Sequence, residues 1–547
     1  MCEKWGREKR RGGGFRWQYK ESAAELQFSG EGIAARVWRI ALDVPARRRL
    51  KYGFRVKSEK GEFYFSENGL EPYSPEAVAK TFNHFFFPFI HEVDAPNVPA
   101  WVADTVWYQI FPERFHNGDP ALSPSGAADW ERGKPAWQNF FGGDLPGIHQ
   151  KLAYLHDLGV TGIFLNPVFK APSNHKYDTE DYFTIDEHFG TLQDLKDLVK
   201  DAHALGIRVM LDAVFNHIGA RHSFWQDVLK KQEKSVYCDY FHIHHFPVAA
   251  TYTNTDDIPF DTFAMAARMP KWNTENPQAR RYLLDAAVYW IRECDIDGWR
   301  LDVSNEVSFD FWRAFAAEVR AIKKDFYVVG EMWHEASDWI NPGYFDAAMN
   351  YPLGFAIADF FLKKSITPEA FTGRLFQALS RYSDMHNRVA FNLLDSHDTA
   401  RALTVADGDK LALRNAFAML FLLPGSPCVY YGTEMGMSGG GDPECRAPMI
   451  WKENRQDKEL LGFFKKLLAF RREYREIIDC GSIRYLMRDG VPYWEISGGG
   501  HRLTAVYAGN ALPDGTVFAK TLGRKVLHTG QTDTDSIPPN SMAVYYT

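Results

Sequence analysis

The chain has 547 residues, 45% of them hydrophobic and 24% charged, which fits a globular protein of several domains. Its formal net charge of −7 and pI near 6.2 offer no match to nucleic acid or to an anionic membrane surface. Aromatic residues reach 15%, an excess that suits stacking against the apolar faces of sugar rings as well as packing in cores.

Six cysteines (Cys2, Cys238, Cys294, Cys428, Cys445 and Cys480) show no paired spacing, which predicts free thiols and a cytoplasmic location. The basic run at residues 9–11 leads into three glycines rather than an apolar core, so a signal peptide is not expected. The apolar run at residues 416–423 is too short to cross a bilayer and ends at Pro424 and Gly425.

Taken in chain order, residues 1–100 read as a small β-rich module. Residues 35–40, 47–54 and 62–65 carry the aromatic and β-branched side chains of strands. The module is short for a complete sandwich, and residues 1–14 are expected to lie outside its sheets. A Pro-containing linker at residues 94–99 leads into a large domain spanning residues 101–470.

Within that domain, apolar strands alternate with helical patterns. Strands are read at residues 105–110, 159–167, 208–217, 298–303, 326–331, 389–398 and 426–432. Four of them end in polar side chains, at His217, Asp302, Glu331 and Asp398. That pattern predicts an α/β fold, a (β/α)8 TIM barrel carrying its site at one rim. Residues 218–272 break the alternation and are too long for a simple connection, which predicts an inserted lid after strand 3. His242, His244 and His245 within it are not expected to hold a metal, because neighbouring residues of a strand point to opposite faces. Residues 471–547 read as a C-terminal all-β sandwich. There is no dinucleotide or phosphate-binding loop, so a nucleotide cofactor is not expected.

The charged strand ends set the chemistry. Asp302 follows Arg300 by two residues, so both side chains leave the same face of the strand. A guanidinium that close favours an ionised carboxylate, the state a nucleophile needs. One buried Arg–Asp pair is more often structural than catalytic. Two more carboxylates at strand ends, Glu331 and Asp398, reverse that weighting.

These stretches, with residues 174–179 (Asn-His-Lys-Tyr-Asp-Thr) and 269–273 (Met-Pro-Lys-Trp-Asn), resemble the conserved regions of the α-amylase superfamily, glycoside hydrolase family 13. The resemblance is nearest to its cyclomaltodextrinase, neopullulanase and maltogenic amylase group. It implies a retaining hydrolase of α-1,4-glucosidic bonds, with some α-1,6 cleavage. The implied substrates are cyclomaltodextrins, pullulan, starch and maltooligosaccharides. The alternatives are an enzyme that mainly transfers glycosyl units and, ranked far behind, an inactive binding subunit; the intact acid trio argues against the latter.

By this resemblance Asp302 is the nucleophile, Glu331 the general acid and then base, and Asp398 the carboxylate that grips the distorted sugar. Substrate binding falls to Arg300, His217, His397, Tyr177, Trp333, Asn305, Glu306, Asp442 and Arg446, with Asp212 orienting Arg300. Asn305 and Glu306 stand where plain α-amylases carry a Lys-His pair, which argues for small or cyclic dextrins. No cofactor is required. The family's structural calcium would fall to Asn117, Asp119, Gly142 and Asp144, but Leu122 and Ser123 replace two oxygen ligands, so weak or no binding is expected. The implied partners are α-glucan oligosaccharides and cyclodextrins, not nucleic acid or membrane, and a homodimer stays open.

Overall fold

The computed structural model describes residues 2–6, 16–20, 23–31, 36–43, 48–80, 82–87, 89–488, 491–509, 522–530 and 537–547. Eight parallel strands form its centre: β1 (Trp107–Ile110), β2 (Gly162–Leu165), β3 (Arg208–Ala213), β4 (Gly298–Leu301), β5 (Tyr327–Gly330), β6 (Ala347–Ala348), β7 (Phe391–Asn392) and β8 (Ser426–Tyr430). Their order in the sheet is β6-β5-β4-β3-β2-β1-β8-β7. A parallel bridge from Met349 to Phe391 joins the two outer strands and closes the cylinder. Asn350 N–H donates to the Phe391 carbonyl there at 2.8 Å. Order in sequence thus equals order in space, as in a (β/α)8 barrel. The strand that sequence reading missed is β6, only two alanines long.

The strands are apolar on both faces because both faces are buried. Trp107, Phe164, Met210, Tyr327, Val329 and Phe391 point inward and fill the cylinder. Their neighbours Tyr108, Ile163, Val209, Leu211 and Val328 point outward to the helices. The rings of Trp107 and Tyr327 stack at 5.9 Å, so the interior is a packed core and not a pore. The helix Pro277–Cys294 shows how the outer ring is punctuated. Asn276 caps it by accepting from the N–H groups of Gln278 and Ala279, and Pro277 opens its first turn. It buries Leu283, Leu284, Ala287, Trp290 and Ile291, a 3.6-period stripe against the barrel.

Between β3 and that helix lies the insert. It holds the helix Ser223–Lys231 and is laced by isolated bridges, His217 to Lys271 and Phe241 to Trp272. His244 pairs with Asp261 at 2.8 Å. Among the described residues no group of three or more His, Cys, Asp or Glu is placed to hold a metal.

The helix Lys458–Cys480 leads into five antiparallel strands in the order 482–488, 491–498, 501–508, 541–546, 524–528. One face of this sheet (Trp494, Ile496, Leu503, Ala505, Val544) joins the main core, and the other (Tyr493, Val506, Ala543, Tyr545) forms a separate cluster with Leu522 and Ile537. One sheet is seen among the described residues, where a two-sheet sandwich was expected.

Residues 1–30 and 36–96 form a unit of their own. Cys2–Gly6 pairs antiparallel with Arg16–Lys20, and Cys2 also pairs with Leu50. This corrects the expectation that residues 1–14 lie outside the sheets; residues 1 and 7–15 themselves fall outside the described residues. Phe85–Phe87 joins that sheet beside Leu50–Tyr52, and Phe54–Ser58, Gly61–Ser66 and Gly69–Pro72 form a three-stranded meander. No described helix is long and apolar enough to cross a membrane.

Phe391 is fully buried at the seam and meets Phe164 edge-on at 6.1 Å. Phe391→Ala should destabilise the barrel by about 3–5 kcal/mol, read as a lowered midpoint in urea unfolding with an unchanged slope. A loss under about 1 kcal/mol would mean the seam is not part of the cooperative core.

Candidate active site

One guanidinium organises the rim. Arg300 sits in β4 and is buried. Its Nη1 donates to Asp302 Oδ1 at 2.8 Å and to both oxygens of Asp212 at 2.8 and 2.9 Å. Its Nη2 lies 2.9 Å from Glu331 Oε2, as an ion pair without hydrogen-bond alignment. A single planar guanidinium therefore touches both Asp302 and Glu331.

The backbone around the two acids is specialised. Val303 adopts a left-handed conformation at φ 45° and ψ 42°, which costs a β-branched residue on the order of 1–3 kcal/mol. The conformation aims the Val303 N–H at Glu331 Oε2, 2.9 Å away. Gly330 precedes Glu331, and a Cβ there would come within 2.6 Å of the Phe345 ring, so only glycine lets β5 pass. Trp333 Nε1 donates to Glu331 Oε1 at 3.2 Å. Its half-exposed ring stacks on Tyr351 at 4.1 Å.

Asp398 stands beyond β7. His397 Nε2 lies 3.1 Å from Asp398 Oδ2, and Arg446 Nη2 donates to Asp398 Oδ1 at 3.2 Å. Arg446 Nη1 reaches Asp442 Oδ1 at 3.2 Å, so one side chain joins the two acids.

The Tyr177 hydroxyl ties these groups to the floor. It donates to Asp212 Oδ2 at 2.9 Å, accepts from Asn166 Nδ2 at 2.9 Å and meets His397 Nε2 at 2.6 Å. Its ring lies parallel to that of His397 at 5.5 Å. Gln109 Nε2 stands 2.8 Å from His397 Nδ1 and also donates to Asn166. Since Gln109 can only donate through that nitrogen, His397 accepts at Nδ1 and carries its hydrogen on Nε2. His217 is buried, stacked on Phe263 at 4.7 Å, and its Nε2 has no protein partner. A buried polar atom without a partner is what a substrate hydroxyl would satisfy.

Asn305 and Glu306 are exposed, and they follow Val303 and Ser304, which bond to Glu331. Glu306 pairs with Lys271 at 2.7 Å. Both line a cavity of about 430 Å³ with Asn216, Trp272, Phe309 and Trp339.

Sequence reasoning missed Gln109, Asn166, Tyr351 and Phe263. Gln109 lies in the apolar strand β1 and Asn166 follows β2; a lone amide in an apolar run is the signal that could have marked them. Phe263 lies in the insert, where no periodicity points to it.

Five carboxylates (Asp212, Asp302, Glu331, Asp398 and Asp442) thus share two guanidinium groups. Burial pushes Asp302 well above the usual carboxylate range; Arg300 opposes this, and the charges of Glu331, Asp212 and Asp398 add to it. Burial likewise pushes Asp212 and Asp398 up to about 6 against the pull of Arg300. The expectation that Arg300 alone keeps Asp302 ionised is therefore too simple. Asp212, Asp302 and Asp398 titrate together and stay protonated to higher pH than an isolated carboxylate. Burial drives both histidines the other way, His217 down to about 3 and His397 well below its ordinary value, so both are neutral donors or acceptors.

The residues expected to hold calcium do not form a cage. Asp144 already accepts from the N–H groups of Gly118, Asp119 and Gly147. Asp119 Oδ1 caps Ala121 N, and the Leu122 carbonyl accepts from His188. Asn117 donates to Ser123 Oγ, whose side chain fills the space a Cβ on Gly142 would enter. Among the side chains of these residues, Asn117 Oδ1 is a buried acceptor without a partner. The carboxylate oxygens a calcium ion would need are largely engaged by backbone N–H groups.

Comparison with known proteins agrees with this geometry. The alpha amylase catalytic domain matches residues 109–481, and the alpha amylase N-terminal ig-like domain matches residues 12–91. A cyclomaltodextrinase of Geobacillus thermopakistaniensis is 51% identical over 446 residues, covering 81% of this chain and 74% of the relative. An intracellular maltogenic amylase of Bacillus subtilis is 48% identical, covering 82% and 75%. A solved cyclomaltodextrinase structure superposes with a TM-score of 0.85 at 40% identity, covering 95% of this chain and 89% of that one. With a catalytic-domain match over most of its length and the three acids gathered on one barrel rim, the chain belongs to the α-amylase family and is a glucan hydrolase.

Proposed function

We propose that the enzyme opens cyclomaltodextrins and cleaves short α-1,4-linked maltooligosaccharides, with some action on pullulan and starch, by a double displacement that retains anomeric configuration. The observation that carries this reading is the Arg300 fork holding Asp302 and Glu331 side by side. Asp302 attacks the anomeric carbon while Glu331 protonates the glycosidic oxygen, so one C–O bond forms as the other breaks. The freed sugar leaves past Trp333. Glu331, now a carboxylate, takes a proton from water, whose oxygen displaces Asp302. Asp398, His397 and His217 hold hydroxyls of the reacting sugar, while Tyr177 supports it from below. Asp442 and Arg446 hold the next sugar toward the non-reducing end. The names of the relatives support the substrate class: cyclomaltodextrinase, maltogenic amylase and, at 42% identity, a neopullulanase of Thermoactinomyces vulgaris.

A second reading, transfer to a sugar acceptor in place of water, is favoured by the cavity beside Asn305 and Glu306, which has room for an acceptor ring. A cytoplasmic location is supported by the unpaired Cys238, Cys294, Cys428 and Cys445 and by the printed name of the Bacillus subtilis relative.

Asp302→Asn should lower turnover of β-cyclodextrin on the order of 10⁴-fold with the fold intact by circular dichroism. Opening at the wild-type rate would remove Asp302 from the nucleophile's place. The second expectation concerns pH. Asp398 accepts from sugar hydroxyls with both oxygens only when charged, and it charges only above about 6. The quantity kcat/KM should therefore fall as pH drops through about 6. A plateau reaching down to about pH 4, where ordinary carboxylates titrate, would contradict the raised values. As for calcium, dialysis against EDTA should leave Tm within about 1 °C and activity unchanged, since a site that holds no ion adds no binding free energy to the fold. A drop restored by calcium alone would show that Asn117, Asp119 and Asp144 do form a site.

A further inference from the structure

We propose that Trp137 is a stacking platform for the glucan chain, one subsite beyond the sugar held by Asp442 and Arg446. The inference rests on the hydrolytic reading above and extends it to longer chains. Trp137 is 70% exposed, more than any other exposed tryptophan among the described residues. Its indole offers a wide, flat apolar face to solvent, the shape that covers one face of a pyranose ring.

The backbone beneath this ring is held firmly. Asn174 is buried, and its Nδ2 donates to the carbonyls of Trp137 at 3.0 Å and Asn139 at 2.8 Å. Buried Arg114 donates to the Asn139 carbonyl at 3.0 Å. Asn139 closes the loop on itself, accepting from Ala136 N at 2.9 Å and donating to the Lys134 carbonyl at 2.7 Å. Buried side chains thus fix the loop from below while its indole faces solvent. A surface fixed in advance loses little freedom on binding, which a weak, flat contact to a neutral sugar requires.

The loop's anchors give its place. Asn174 lies three residues before Tyr177, whose hydroxyl meets His397 and Asp212 in the site. At its other end Trp130 donates to the Met449 carbonyl at 3.0 Å, and Glu131 pairs with Arg455 at 2.8 Å. Both of those partners follow Arg446 closely in the chain. Residues 130–139 therefore sit between the Tyr177 loop and the Arg446 segment. Trp333, bonded to Glu331, marks the leaving-group side. The occupant of Trp137 is then a glucosyl unit toward the non-reducing end, its C–H face against the indole. A neutral ring asks for no charge, and an apolar flat surface is the chemistry that recognises it.

The test compares chain lengths. Maltotriose is too short to reach Trp137 from the cleaved bond on this side, and maltoheptaose is long enough. In Trp137→Ala, KM for maltoheptaose should rise about 3- to 10-fold relative to KM for maltotriose, with kcat for maltoheptaose little changed, and Trp137→Phe should restore most of the difference. The affinity of maltoheptaose for Asp302→Asn, titrated by intrinsic fluorescence, should fall by the same factor when Trp137→Ala is added. An unchanged ratio of KM values, or equal losses on both substrates, would overturn the assignment. Failure of the wild-type enzyme to cleave either maltooligosaccharide would instead sink the hydrolytic reading, and the subsite with it.

Discussion

The structure depends on a buried guanidinium that is outnumbered by acids. Arg300 has almost no access to water and touches Asp212, Asp302 and Glu331. Burying a charge is costly unless it is paired and hydrogen-bonded. Here one arginine forms ion pairs with three acids, which compete for it. The barrel makes this tolerable. β3, β4 and β5 are adjacent in the sheet, and their parallel register sets Arg300 opposite Asp212 on one side and Val329 on the other. The packed interior of Trp107, Phe164, Tyr327 and Phe391 then holds the rim from beneath. A looser scaffold would relax until each acid found water. A close-packed one keeps them crowded, and the crowding is what leaves a proton in the site at the pH where another carboxylate must be bare.

Much of this was legible in the text because the barrel turns linear spacing into geometry. Arg300 and Asp302 are two apart on a strand, and the alternation of a strand puts them on one face. Glu331 and Asp398 follow apolar runs, so their position at a rim could be read too. What could not be read is the sum. Asp212, Glu331 and Asp398 lie many residues from Asp302, and only folding shows that their charges oppose Arg300's effect on it. The strand β6 was invisible for another reason. Two alanines have no pattern, and they become a strand only because Val329 and Gly330 pair with them on one side and the Met349–Phe391 bridge closes the other. The pairing of Cys2–Gly6 was equally hidden, since a glycine-rich start gives no local hint of a partner. Phe263 was out of reach as well, because the insert that carries it follows no regular period.

The neutral histidines complete the electrostatic argument. A cationic imidazole at His397 would add a third positive charge beside Asp398 and draw the acids' titration down. Asp302 and Asp398 would then ionise more readily. Burial keeps His397 and His217 uncharged instead. His397 is further fixed in one tautomer by Gln109, so its Nε2–H faces Asp398 and the Tyr177 hydroxyl. It can orient the carboxylate and donate to a sugar without entering the charge balance. The division of labour follows: guanidinium groups hold the acids in place, histidines supply uncharged hydrogen bonds, and the surplus of carboxylates over cations keeps protons in the buried site.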